Sequence, residues 1–122
     1  MPISYTIDYE QQIIVEVWAG DVSAAELTTY WQRYLADATV MAIRRTLVDL
    51  RGCTITFSGE QLHHVIERII TPILGGRAWR TAILVEQPTQ YGVSRQYQVF
   101  AERYSRDAIF HNYDEALCWL LQ

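Results

Sequence analysis

The run Thr81-Ala82-Ile83-Leu84-Val85 constrains this chain more than any other five residues in it. It is as long as a strand, almost unbroken in apolar character, and bounded by Arg80 and Glu86. A strand with one wet face alternates apolar and polar residues; a strand without alternation is covered on both faces. Such strands lie inside sheets that helices cover on either side, so the expected class is α/β. A length of 122 residues is that of a single domain, here residues 1–122, and a hydrophobic fraction of 50% is enough to fill one core.

The remaining patterns place the other elements around that strand. Residues 3–9 alternate with period two, and a polar turn at Glu10-Gln11-Gln12 leads into a second β-rich run from Ile13 to Trp18. So short a connection makes the pair an antiparallel hairpin. Gly20-Asp21-Val22 is expected to end it. Ser23 and Glu26 then form a capping box, and Leu27, Tyr30, Trp31, Tyr34 and Leu35 make one helical stripe. Thr46 to Leu50 reads as a third strand, stopped at Arg51-Gly52. Ser58 and Gln61 open a second helix with the stripe Leu62, Val65, Ile66, Ile69 and Ile70. Pro72 should end or kink it at Thr71, and Gly75-Gly76 should terminate the segment.

Val93, Tyr97, Phe100 and Tyr104 mark a third helix from about residue 90 to 105, and Ala108-Ile109-Phe110 a fifth strand. Asn112 and Glu115 start a last helix carrying Ala116, Leu117, Leu120 and Leu121. The order is β-β-α-β-α-β-α-β-α. It predicts a five-stranded mixed sheet with the first strand antiparallel at an edge and the rest parallel, joined by right-handed crossovers.

Composition narrows the function classes. The net charge is −4 and every one of the ten positive residues is arginine, so a nucleic-acid binder with a basic face is not expected. No apolar run approaches the ~20 residues of a membrane span, and Met1-Pro2-Ile3-Ser4 lacks a secretory pattern. Cys53 and Cys118 form no metal-type pair and read as small buried hydrophobes, which fits a reducing cytoplasm. No cofactor or metal is expected.

A search for chemistry yields little that is catalytic. His63 and His64 lie opposite the apolar stripe of the second helix, among Glu60, Glu67 and Arg68. Glu60-x-x-His63 has the spacing of di-iron bundles, but these need a second copy on another helix. A solvated face with i,i+4 pairs is the better reading. A hydrolase elbow, a phosphate loop and a dinucleotide fingerprint are all missing. What survives is topological: ligands of open α/β sheets bind beyond the carboxyl ends of the strands. Arg51, Ser58, Ser94, Arg95 and His111 should gather there, beside helix N-termini that favour an anion.

Eight tyrosines and four tryptophans exceed what a core of this size fully hides; most read as core, and the rest as a partner surface or the wall of an apolar pocket. Arginine without lysine is also an interface-like composition. It predicts a symmetric homodimer with Ile73 and Leu74, beside Pro72, at its seam. The competing expectation tucks Ile73 and Leu74 beneath the strand at Thr81–Val85.

Two stretches carry a resemblance. Ala108-Ile109-Phe110-His111-Asn112-Tyr113-Asp114-Glu115-Ala116-Leu117-Cys118-Trp119-Leu120 resembles the strand, acidic turn and "EAL-x-WL" helix of the SpoIIAA-like family, and Leu47-Val48-Asp49-Leu50-Arg51 resembles its central strand. These small bacterial domains are related in fold to the STAS domains of anti-sigma-factor antagonists and, more distantly, to CRAL-TRIO lipid carriers. The resemblance implies a non-enzymatic regulatory or protein-interaction domain with a regulatory protein as partner. The carrier kinship implies the alternative, a domain holding a small anionic or apolar ligand in the crevice. STAS antagonists place a phosphorylated serine or threonine in an Asp-Ser-Ser/Thr-Gly turn before the second helix. Here Ser58-Gly59 matches the end of that turn, but Thr56 and Phe57 replace its Asp and first Ser. Phosphorylation of Ser58 is therefore implied only in part, and a helix cap is its alternative role.

Overall fold

A computed structural model describes residues 2–74 and 78–122, so the expected stop at Gly75-Gly76 lies outside the described residues. Five strands form one sheet in the order β1-β2-β3-β4-β5: β1 (Ile3–Asp8), β2 (Ile13–Val22), β3 (Arg45–Ile55), β4 (Trp79–Leu84) and β5 (Ser105–Phe110). β1 runs antiparallel to β2 at the edge, and every other pair is parallel. The helices are α1 (Ala24–Tyr34), α2 (Ala38–Ile43), α3 (Gly59–Val65), α4 (Thr71–Leu74), α5 (Pro88–Phe100) and α6 (Tyr113–Leu120).

β4 sits between β3 and β5, and its lack of alternation has the expected cause. Trp79 and Ile83 join a large cluster with α1, α3 and their neighbours on one face. Ala82 joins Ile13, Leu47, Ala116 and Leu120 on the other, where α6 packs. Arg80 fastens that helix: its guanidinium donates to the carbonyls of Trp119 at 2.6 Å and Gln122 at 3.2 Å, and lies 4.2 Å over the Trp119 ring. A cation at a helix C-terminus also meets the negative end of its dipole.

Both expected capping boxes are present, Ser23 with Glu26 and Ser58 with Gln61, and Asn112 accepts from the Glu115 N–H. Several boundaries differ from expectation. β2 does not end at Gly20, because Ala19 to Val22 pair with Gly52 to Ile55; Gly20 takes φ +69° within the strand. β3 does not stop at Arg51-Gly52. It bulges there, with one additional residue opposite the Val17–Ala19 stretch, and continues to Ile55. A bulge resets which side chains face which way, so Leu50 and Cys53 both reach the core while Arg51 and Gly52 are exposed.

The second helix neither ends nor kinks at Thr71. It widens into a π-helical stretch, Ile66–Ile70, in which the Thr71 N–H bonds the carbonyl of Ile66, and then continues as α4. Pro72 has no N–H to offer and its ring collides with the ordinary helical turn before it; the wider turn relieves both problems.

The third helix ends at Phe100, and Tyr104 is buried from the turn that follows. β5 therefore begins at Ser105, where pairing with Trp79 starts. Helix α2 was not expected; Asp37 opens it by accepting from the Thr39 and Val40 N–H groups. Cys118 is exposed, contrary to its reading as a buried hydrophobe, because Ala116 and Leu120 turn α6 the other way. Leu121, read as part of the last stripe, caps the helix and is 40% exposed.

Candidate functional site

The alternation of β2 sends Ile14, Glu16 and Trp18 to the face covered by α1. Glu16 is thereby carried into the core, where it is 4% exposed. Its carboxylate accepts from Trp18 Nε1 and from the Tyr30 hydroxyl, both at 2.7 Å. Burial pushes its pKa up to about 7 against the pull of those two hydrogen bonds. Next to it, the Tyr34 hydroxyl meets Thr46 Oγ1 at 2.5 Å, and Trp79 Nε1 donates to the same oxygen at 3.2 Å. Burial likewise holds the Tyr30, Tyr34 and Tyr97 phenols above their ordinary range.

These groups surround a cavity of about 80 Å³ between the sheet and the helices. Its walls are Trp18, Trp31, Tyr34, Trp79 and Tyr97, and Thr46 and Thr81 add hydroxyls beside Glu16. Directly opposite Thr81 in the register lies Asp107 on β5. Its Oδ1 accepts from Ser105 Oγ, its Oδ2 is buried without a partner, and burial raises it to about 6. Two carboxyl groups thus share the helix-covered face of one small sheet.

A second, open hollow of about 480 Å³ lies at the carboxyl ends of the strands, lined by Arg51, Gly52, Val85, Glu86 and His111. It unites two of the five expected ligand residues, Arg51 and His111, and the His111 ring stacks with Tyr91 at 6.4 Å. The Arg51 fork is already engaged, with Nε and Nη2 each 3.1 Å from the two Asp49 oxygens, and this pairing raises its pKa. Gln90 shapes the rim: Oε1 accepts from the Glu86 and Gln87 N–H groups, and Nε2 donates to the Cys53 carbonyl at 3.0 Å. Arg95 points elsewhere, to Gln98 at 3.2 Å. Ser94 lines the aromatic cavity instead, donating to the Gln90 carbonyl at 2.8 Å.

No family model matches the sequence, and no curated protein does. Solved structures do. An uncharacterized DUF3478-family protein with a SpoIIAA-like fold from Shewanella loihica PV-4 superposes with a TM-score of 0.62 at 17% identity, over 97% of this chain and 93% of its own. An anti-sigma factor antagonist from Mycobacterium paratuberculosis gives 0.59 at 13% identity, over 98% and 95%. The fold is SpoIIAA-like.

In this SpoIIAA-like frame Ser58 stands at the N-terminus of α3, exposed, with Oγ accepting from the Gln61 N–H at 3.1 Å. The hydroxyl acts as a cap. Of the two residues expected at a dimer seam, Leu74 is 5% exposed and packs in the chain's own core, lining the aromatic cavity, while Ile73 is 42% exposed. Of the two, Ile73 alone is open to another molecule, beside the exposed Pro72. His63 and His64 lie on the exposed face of α3; His63 is 3.7 Å from Glu67 and rests on the Phe100 ring. Among the described residues no three His, Cys, Asp or Glu side chains come together as a metal site requires, and no helix is long and apolar enough to cross a membrane.

Sequence reasoning missed Glu16. The signal was present: Glu16 has the parity of Ile14 and Trp18, an acid on the apolar side of a strand. Val15 and Val17 on the opposite parity masked it.

Proposed function

We propose that this chain is a non-enzymatic regulatory domain that works by binding. The observation that carries this reading is the state of the strand carboxyl ends, where an α/β enzyme keeps its reactive groups. Here those groups hold one another: Arg51 is spent on Asp49 and Gln90 on backbone. The nearby thiol of Cys53 is buried and pushed up to about 11, far from a reactive thiolate. The fold shared with a protein named as an anti-sigma factor antagonist supports a protein partner. A cytoplasmic setting and self-association through the Ile73 corner belong to the same proposal.

A second reading, a small-molecule sensor or carrier, is favoured by the aromatic cavity around Glu16. It moves the ligand from the crevice to the space between sheet and helices. Native mass spectrometry of protein purified from its host separates the two. A second polypeptide, or a doubled mass, supports the interaction domain. A monomer carrying a small molecule supports the sensor, and a bare monomer at all concentrations counts against both.

A further inference from the structure

Buried carboxylates are ordinarily paired with a cation. Among the described residues no ion pair reaches Glu16, whose partners are the neutral donors Trp18 and Tyr30. Two hydrogen bonds leave part of a carboxylate's acceptor capacity unused, and Glu16 lines the cavity. The other walls are the rings of Trp18, Trp31, Tyr34, Trp79 and Tyr97. Aromatic faces carry negative quadrupole density and attract cations, most strongly where water is excluded. An anion would meet repulsion from both features, and a neutral apolar molecule would gain nothing from the carboxylate.

Size narrows the class further. A cavity of about 80 Å³ is about half of the ~150 Å³ apolar cavity that accepts benzene. It admits a head group of a few heavy atoms. A bare divalent metal ion would want several oxygen ligands, and the described residues offer no such group.

We infer that the cavity is a binding site for a small organic cation, a methylated ammonium head group seated among the five aromatic rings with Glu16 as its counter-ion. This inference deepens the sensor reading and rests on it.

Proton linkage gives a second signature. Glu16 in the empty site holds a proton up to about pH 7, and an entering cation displaces it, so affinity should rise between pH 6 and 8. The titratable groups around Glu16 do not reverse that sign. Tyr30 and Tyr34 on α1 and Tyr97 on α5 are phenols pushed upward, and Tyr5, opposite Glu16 on β1, is raised to about 12. Thr46 and Val48 of β3, Thr81 and Ile83 of β4, and Ile70 and Leu74 of the second helix bring no charge to the cavity. Asp107 on β5, raised to about 6, adds negative charge on the same face as pH rises.

The test is isothermal titration of the full chain with methylammonium, small enough for the cavity, and with methanol, an uncharged near-isostere. Methylammonium should bind more tightly by on the order of tenfold, and more tightly at pH 8 than at pH 6. Glu16→Gln, which keeps the side chain's shape, should abolish the pH difference and reduce the preference for the cation to what the rings alone supply. If that variant fails to fold, the comparison of the two compounds on the unaltered chain still decides. Equal or tighter binding of the isostere overturns the cation assignment and leaves a small-molecule site standing. Binding of neither compound at millimolar concentration overturns the inference, and with a bare native mass spectrum the sensor reading falls as well.

Discussion

The two faces of the sheet are built by opposite rules. The face under α6 is small and dry, with Ile13, Leu47, Ala82, Ala116 and Leu120 in an apolar cluster and the Arg80 guanidinium as its polar fastening to the helix end. The face under α1, α3 and α5 is large and mixed. It buries Glu16 and Thr46 together with aromatic residues that hydrogen-bond them, places Thr81 beside them, and keeps a cavity. Close-packed apolar contact is the cheaper way to cover a strand, since a buried polar group costs free energy unless its hydrogen bonds are met. One face of this molecule is arranged for holding the sheet together, and the other also keeps hydrogen-bonding chemistry away from water. The difference locates the candidate site without any catalytic signature.

The contrast is most severely tested by Ile66→Asp, on the large face. Ile66 is 0% exposed, and a carboxylate there should cost roughly 4–5 kcal/mol or abolish cooperative folding. An unchanged urea midpoint would show that the core has been misplaced. On the dry face, Leu120→Ala should cost about 2–5 kcal/mol, as a cavity is left beside Leu47 and Ala82. Chemical denaturation again measures it. A loss near zero would mean that α6 is not an integral cover.

A pH series distinguishes the faces directly. Glu16 and Asp107 have pKa values of about 7 and about 6 when folded, above the 4.5 and 3.8 of free side chains. The folded state therefore binds these protons more tightly than the unfolded state. Their contribution to stability is full below about pH 4 and lost as pH rises toward 7. The chain should be more stable at pH 5 than at pH 8 by roughly 4 kcal/mol, about two thirds of it from Glu16, at 1.36 kcal/mol per pKa unit. Glu16→Gln should remove most of that slope and Asp107→Asn the lesser share. Leu120→Ala, on the dry face, should shift the whole curve without changing its slope. A Glu16→Gln profile parallel to the unaltered one would refute the burial argument.

The smallest effect belongs to Ser58→Ala at the start of α3. Loss of the cap should cost about 0.5–2 kcal/mol in thermal or urea unfolding and leave partner binding intact. A phosphoserine at Ser58 in protein isolated from its host would instead give that residue the antagonist's switch.

What was legible in the sequence follows how local each rule is. The capping boxes at Ser23 and Ser58 depend on residues three apart, and both stand where the spacing put them. The flat apolar pattern of Thr81–Val85 reports a strand's two neighbouring layers, and it located the sheet's interior. Boundaries set by a pairing partner were not legible. β2 reaches Val22 only because a bulged β3 runs beside it, and β5 starts at Ser105 only because Trp79 lies opposite. Ser94 and Arg95 are adjacent in sequence, yet the helix turns one into the cavity and the other toward Gln98. The cavity itself belongs to β2, β3, β4 and three helical segments at once, and no window of sequence contains it.

The π-helical stretch has a consequence for how this corner of the surface is specified. In an unbroken α-helix each residue advances 100°, and Ile73 would follow Leu62, Ile66 and Ile69 inward. A turn closed by an i→i+5 bond accommodates one residue more, so every later position is rotated backward by about one place. Leu74 falls inside and Ile73 outside. The width of the turn between Ile66 and Ile70, rather than the identity of either residue, decides which aliphatic side chain meets water. A descendant lacking one residue there would close the turn and keep Leu74 inside, whereas closing it with no residue lost would exchange the two.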